Sequence, residues 1–137
     1  MKQLLLIVII MFLAVAVFGQ ELAVIVNPST DVSSLTRSKL KNIYLGKKSS
    51  WGDGSAINFS ILNSGPVHTA FLKTYVKKSP SQFSTFWKKA VFTGTGTPPK
   101  QLNNEKAMLD FVANNPGAIG YIDKANINDS VKEINIK

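Results

Sequence analysis

The chain has no cysteine, one histidine and one arginine in 137 residues. Without cysteine there is no disulfide framework and no thiolate to serve as ligand or nucleophile. A metal site needs several His, Cys or carboxylate ligands. His68 stands alone and the eight acidic residues are scattered, so no metal and no other cofactor is expected. His68 is also the only conventional base for a serine nucleophile, and no Gly-x-Ser-x-Gly elbow occurs. The acids form no obvious pair at catalytic spacing. The glycine–threonine segment 93–97 lacks the Gly-Lys-Ser/Thr ending of a P-loop. No enzymatic class has its residues in place, so no catalytic residue is assigned and the chain reads as a non-enzyme.

Negative charge is scarce as well: eight acidic against 16 basic residues, a formal net charge of +8. Such a balance suits phosphate-like anions, an anionic surface or nucleic acid. Nearly all of it is lysine, a hydrated point charge; Arg37 is the one planar, bidentate donor. The pairs Lys47-Lys48, Lys77-Lys78 and Lys88-Lys89 read as solvated surface.

Long apolar runs are missing too, except one. After Met1-Lys2, Leu4 to Phe18 is uninterruptedly apolar and ends at Val17-Phe18-Gly19. This reads as a secretory signal peptide over 1–19, cut before Gln20. A membrane anchor needs about 20 apolar residues, more than this run supplies. A bacterial lipoprotein anchor needs a cysteine at the cut. The expected product is a protein free in the periplasm, without stable membrane insertion, carrying about +7 once Lys2 is removed. Export sets nucleic acid aside as a partner. Residues 20–137 suffice for one domain and not two.

Strand and helix patterns alternate along that domain. Leu22–Val26 is a continuous apolar run, read as a buried strand. Helices are predicted over 37–45, 66–77, 81–91 and 104–115. Thr36, Ser79-Pro80 and Asn103 or Asn104 supply their starts, and Gly46 supplies a left-handed stop. Phe83, Phe86, Trp87, Ala90 and Val91 repeat at helical spacing, which places an aromatic stripe in the core or along a pocket. Strands are predicted at 57–62, 118–122 and 131–136. The order implies an α/β fold, a mixed β-sheet flanked by helices. Phe71, Phe86, Trp87, Phe111 and Ile119 are its expected buried members.

Residues 57–71 are the most informative stretch. Ile57, Phe59 and Ile61 alternate, Asn63-Ser64-Gly65 interrupts, and a helical pattern follows from Pro66. A strand, a tight turn and a helix start present free N–H groups and the positive end of the helix dipole, an anion site in waiting. The same pattern also describes an ordinary capped helix after a strand. Any anion site is expected at Asn63, Ser64 and Gly65, with Ser64 capping the helix or donating its hydroxyl. His68, Thr69 and the loop residues Thr93 and Thr95 are expected nearby. His68 is either a ligand donor or a partly exposed surface histidine. Trp51 is either core or a surface aromatic.

Three segments occur in a telling order: Leu35 to Gly54, containing Ile-Tyr-Leu-Gly and Trp-Gly-Asp-Gly; the strand and turn 57–71; and Asn-Pro-Gly-Ala-Ile-Gly-Tyr-Ile at 115–122. Together they resemble the phosphate-binding proteins of bacterial phosphate ABC importers, in the type 2 periplasmic binding protein superfamily. The resemblance spans roughly 22–125 and implies one lobe of a two-lobed receptor that holds a phosphate-like anion. It also implies an arginine and a carboxylate before the turn, where this chain has Ser60 and Leu62; Pro66 replaces a threonine. The backbone cradle and one hydroxyl survive. A lone lobe leaves a face open, and Trp51 with Tyr44 or Tyr75 is the expected apolar surface for a partner, a second copy or an envelope protein. The alternative function is an interaction protein that kept the fold and lost the ligand.

Overall fold

Apolar side chains on both sides of Leu22–Val26 (β1) can be satisfied only at the centre of a sheet, and β1 sits there. The computed structural model describes residues 21–137; the predicted signal peptide lies outside them. β1 pairs antiparallel with Ala118–Asp123 (β5) on one side and with Lys132–Ile136 (β6) on the other. β5 pairs parallel with Asn58–Leu62 (β3), and β3 pairs parallel with Lys100–Leu102 (β4). Ser34–Leu35 (β2) adds in parallel to β6. The six-stranded order is β2-β6-β1-β5-β3-β4, a mixed sheet as the alternation implied.

The helices begin where the capping chemistry places them. Thr36 Oγ1 accepts the Lys39 N–H at the start of Arg37–Tyr44 (α1). Ser79 and Gln82 form a reciprocal capping box at Pro80–Phe92 (α3). Asn104 Oδ1 accepts the Ala107 N–H at Glu105–Asn114 (α4). The helix predicted over 66–77 is two pieces. Pro66–Phe71 (α2) is α-helical, and Leu72–Val76 widens into a π-turn that stops at Lys77 in the left-handed region, φ 62°. None of the helices among the described residues is long and apolar enough to cross a membrane.

Helices cover both faces of the sheet. On one, Gly120 and Ser60 meet Met108 and Val112 of α4. On the other, Phe71 stacks on Tyr121 with centroids 3.8 Å apart, and Tyr44 packs edge-on against Phe59 and Phe71. Phe71, Trp87 and Ile119 are buried as expected. Phe86 and Phe111 are only partly buried, a correction. The inward stripe of α3 is Phe83, Trp87 and Ala90, which rotates Phe86 to the flank under Lys78 Nζ and turns Val91 outward. In α4 the inward set is Met108, Leu109 and Val112, leaving Phe111 on the shoulder.

Candidate functional site

The three segments that pointed to a family converge on β3. Tyr44 of Ile-Tyr-Leu-Gly donates its hydroxyl to the Ser60 carbonyl at 3.0 Å and accepts the Trp87 Nε1–H on its own carbonyl at 3.0 Å. Trp51 of Trp-Gly-Asp-Gly donates Nε1–H to the Gly117 carbonyl at 3.0 Å, and Asp53 closes a turn by accepting from Ser55. Gly117, at φ +79°, lies against the Ala56 carbonyl oxygen, where a Cβ would collide. Gly120 leaves room for Met108 Sδ and Ser60 Oγ. Tyr121 reaches across to accept the Leu62 N–H at 3.0 Å. Tyr44, Gly120 and Tyr121 thus hold β3 against its neighbours, and Trp51 fixes the Gly117 turn that leads into β5.

Asn63 continues the parallel pairing by donating its N–H to the Leu102 carbonyl, and its side-chain amide donates to Asn103 Oδ1 at 2.9 Å. The β3 and β4 ends are thereby tied side by side, and both feed helices. Leu62, Ser64, Gly65, Pro66 and Val67 on one side face Asn103, Asn104 and Glu105 on the other across a groove of about 280 Å³. In α/β sheets, ligands settle outside the carboxyl ends of strands.

Gly65, not Ser64, occupies the cap position of α2, a correction to the sequence expectation. Its φ of 100° favours glycine, and no side chain among the described residues caps the helix start. The Ser64 hydroxyl makes only a long contact with Asn63 Oδ1, 3.4 Å. Glu105 is the groove's one acid. Its carboxylate accepts from the Asp123 N–H and from Asn126 Nδ2, so it is held toward β5.

The remaining predicted residues do not gather at this groove. Thr69 spends its hydroxyl on the Gly65 carbonyl. Thr93 and Thr95 donate to the carbonyls of Lys89 and Ala90, capping the end of α3, and Thr95 lines a separate hollow with Phe59 and Lys100. Gly96 passes over the Trp87 ring so closely that a Cβ would sit 3.0 Å from it. The 93–97 segment therefore packs as a lid on Trp87, away from Ser64 and Gly65.

His68 is not a surface histidine: it is 4% exposed, with Nδ1 2.5 Å from the Tyr121 hydroxyl. Burial lowers its pKa below the ordinary range. Ser60, where the resemblance implied an arginine, is fully buried and donates to the Ile119 carbonyl at 2.8 Å; Leu62 is buried too. The expected partner surface also needs correction. Tyr44 and Trp51 are core and Tyr75 is half-buried, whereas Phe92 is 92% exposed. Sequence reading missed Asn103 and Asn104 as the opposite wall, although a capping asparagine pair after a short apolar break was a usable signal. No group of three or more His, Cys, Asp or Glu that could hold a metal occurs among the described residues.

No protein-family model matches the chain. Solved structures do. An ABC-type phosphate transport receptor from Vibrio cholerae is similar over 84% of this chain, with a TM-score of 0.58 and 22% identity. PstS from Borrelia burgdorferi gives 0.64 over 85% at 17% identity. A structure from Clostridium perfringens, described as a phosphate ABC transporter substrate-binding protein with bound phosphate, gives 0.59 over 84% at 22% identity. The chain spans 45%, 47% and 44% of those proteins, less than half of each. It therefore has the mixed α/β fold of a lobe of the phosphate-receptor type.

Proposed function

We propose that this chain is an exported, non-enzymatic binding domain that takes up a phosphate-like anion for an ABC-type uptake system, at the groove between Ser64–Gly65 and Asn103–Asn104. One observation carries the reading: two helix starts on adjacent parallel strands face a single groove, and the α2 start has no side-chain cap. N–H groups at such a start favour an anion over a neutral ligand. The positive net charge supports it, and so does the fold shared with phosphate receptors. Asn63, Ser64 and Gly65 form the cradle; His68 and Thr69 support the turn from α2. Thr93 and Thr95 belong to the lid on Trp87 and serve the cradle only indirectly.

Affinity is expected to be modest. A charge-assisted hydrogen bond contributes about 1.5–3 kcal/mol, so a site without the arginine loses about one to two decades. Titration with phosphate and with sulfate, followed by NMR, should shift the Ser64 and Gly65 amides saturably in the millimolar range. Unmoved amides at that concentration would sink the anion reading and leave a protein that binds only partners. The open groove implies a cover, a second copy or an envelope protein. Sedimentation with and without phosphate reports the first, and crosslinking in the native envelope the second.

A further inference from the structure

A second concavity lies behind the turn, walled by α3, β3–β4 and the Pro98–Pro99 segment. It encloses about 550 Å³, within the range of about 300–1,000 Å³ usual for organic ligands and far more than a tetrahedral anion fills. Its walls combine apolar Ile61, Phe83, Trp87, Pro98 and Pro99 with polar Asn63, Ser84 and Gln101. Val91 and Phe92 also line it while standing 51% and 92% exposed, so they form its outer rim.

His68 lines the same cleft. The Tyr121 oxygen accepts the Leu62 N–H, and His68 Nδ1, 2.5 Å away, is the one acceptor its own hydrogen has among the described residues. The tautomer that satisfies Tyr121 carries the imidazole proton on Nε2. Burial keeps the ring neutral near pH 7. Nε2 has no hydrogen-bond partner among the described residues and is not sealed from solvent. His68 is 4% exposed and lines the cleft, so its open nitrogen can exchange water for a ligand there. Among the described residues Lys88 is the one cationic side chain lining the cleft, and no acid lines it.

We propose that this cleft binds a small apolar carboxylate, its hydrocarbon body held between Phe83, Trp87 and Pro98–Pro99, an oxygen taking the His68 Nε2–H, and Lys88 balancing its charge. The cleft shares no lining residue with the groove of Ser64–Val67 and Asn103–Glu105, although Asn63 and His68, given above to the cradle and its support, line the cleft. Phosphate read at the Ser64 and Gly65 amides and the acid read at Trp87 keep the two readings apart.

The probe is 4-phenylbutyrate, with 4-phenylbutyramide as its neutral counterpart, titrated into the purified chain and followed by NMR. The acid should shift the Trp87 Nε1–H and the His68 ring saturably, and saturating phosphate should leave those shifts in place. An exposed ion pair is weak, so the amide should bind about two- to fivefold less tightly. Lys88→Gln should erase that difference. Ser84→Trp, which fills the cleft from an exposed position on α3, should weaken the acid at least about tenfold. Thermal midpoints of both variants verify their folding. Absence of saturable shifts at 10-millimolar order of probe, equal binding of acid and amide, or indifference to Ser84→Trp would each overturn the proposal. So would a dimer abolished by Phe92→Ser in a chain that ignores the probe, which would make the cleft a self-association surface.

Discussion

Gly117 shows how much of this fold hangs on one backbone position. It needs a left-handed φ, lies against the Ala56 carbonyl, and carries the carbonyl that holds Trp51. Gly117→Ala therefore combines strain with collision and should lower stability by more than about 2 kcal/mol, read from a urea midpoint. An unchanged midpoint would mean that β3 and β5 are not joined as described. His68 offers a second test. Its folded pKa lies below the ordinary value of 6.5, because burial disfavours the charged ring. Between the two values the unfolded chain binds more protons, so stability rises with pH through that window and is complete above about 6.5. Acidifying from pH 7 should lower the unfolding midpoint by this route, and His68→Gln should flatten that part of the curve. Asp53, held low by Ser55, titrates well below the window.

The π-turn at Leu72–Val76 is where an element departs from its simplest form. The helical pattern of Val67, Phe71 and Tyr75 was legible, but a periodicity of apolar residues does not distinguish four-residue from five-residue closure. Leu72 and Val76, four positions apart, are both fully buried within the wider turn. The segment ends at Lys77 with φ 62°, a conformation that costs an L-residue about 1–2 kcal/mol. Glycine avoids that cost and loses part of the gain to chain entropy. Lys77→Gly should raise stability by about 0.5–1 kcal/mol in thermal or urea unfolding. A loss of stability there would show that the lysine stem contributes more than its backbone strain removes.

For the whole molecule, the carboxyl ends of the parallel strands β3 and β4 lead into α2 and α4, and the chain spans less than half of the receptor structure it matches. The groove at Ser64–Val67 and Asn103–Glu105 encloses about 280 Å³, against about 550 Å³ for the cleft behind it. Export is argued from residues 1–19 alone. The protein recovered from the envelope fraction should begin at or near Gln20 by mass spectrometry. An N-terminus at Met1 in that pool would reject the signal peptide.

The sequence by itself determined the α/β class, the order of the four longer strands and the helices, and the caps of α1, α3 and α4, because caps, turns and apolar periodicity act within a few residues of each other. Thr36, Ser79 and Asn104 sit where local hydrogen bonding demands. Only tertiary structure decided what depends on partners distant in the chain. β2 and β4 are two and three residues long, too short for a pattern, and exist because β6 and β3 pair with them. His68 is buried because Tyr121, 53 positions away, offers its hydroxyl. Thr93 and Thr95 bond back to the end of α3 while Gly96 lies over Trp87, whose Nε1–H is held by the carbonyl of Tyr44, 43 positions away. Phe92 faces water while Phe83 is buried, because α3 can bury only one stripe of its surface against the sheet.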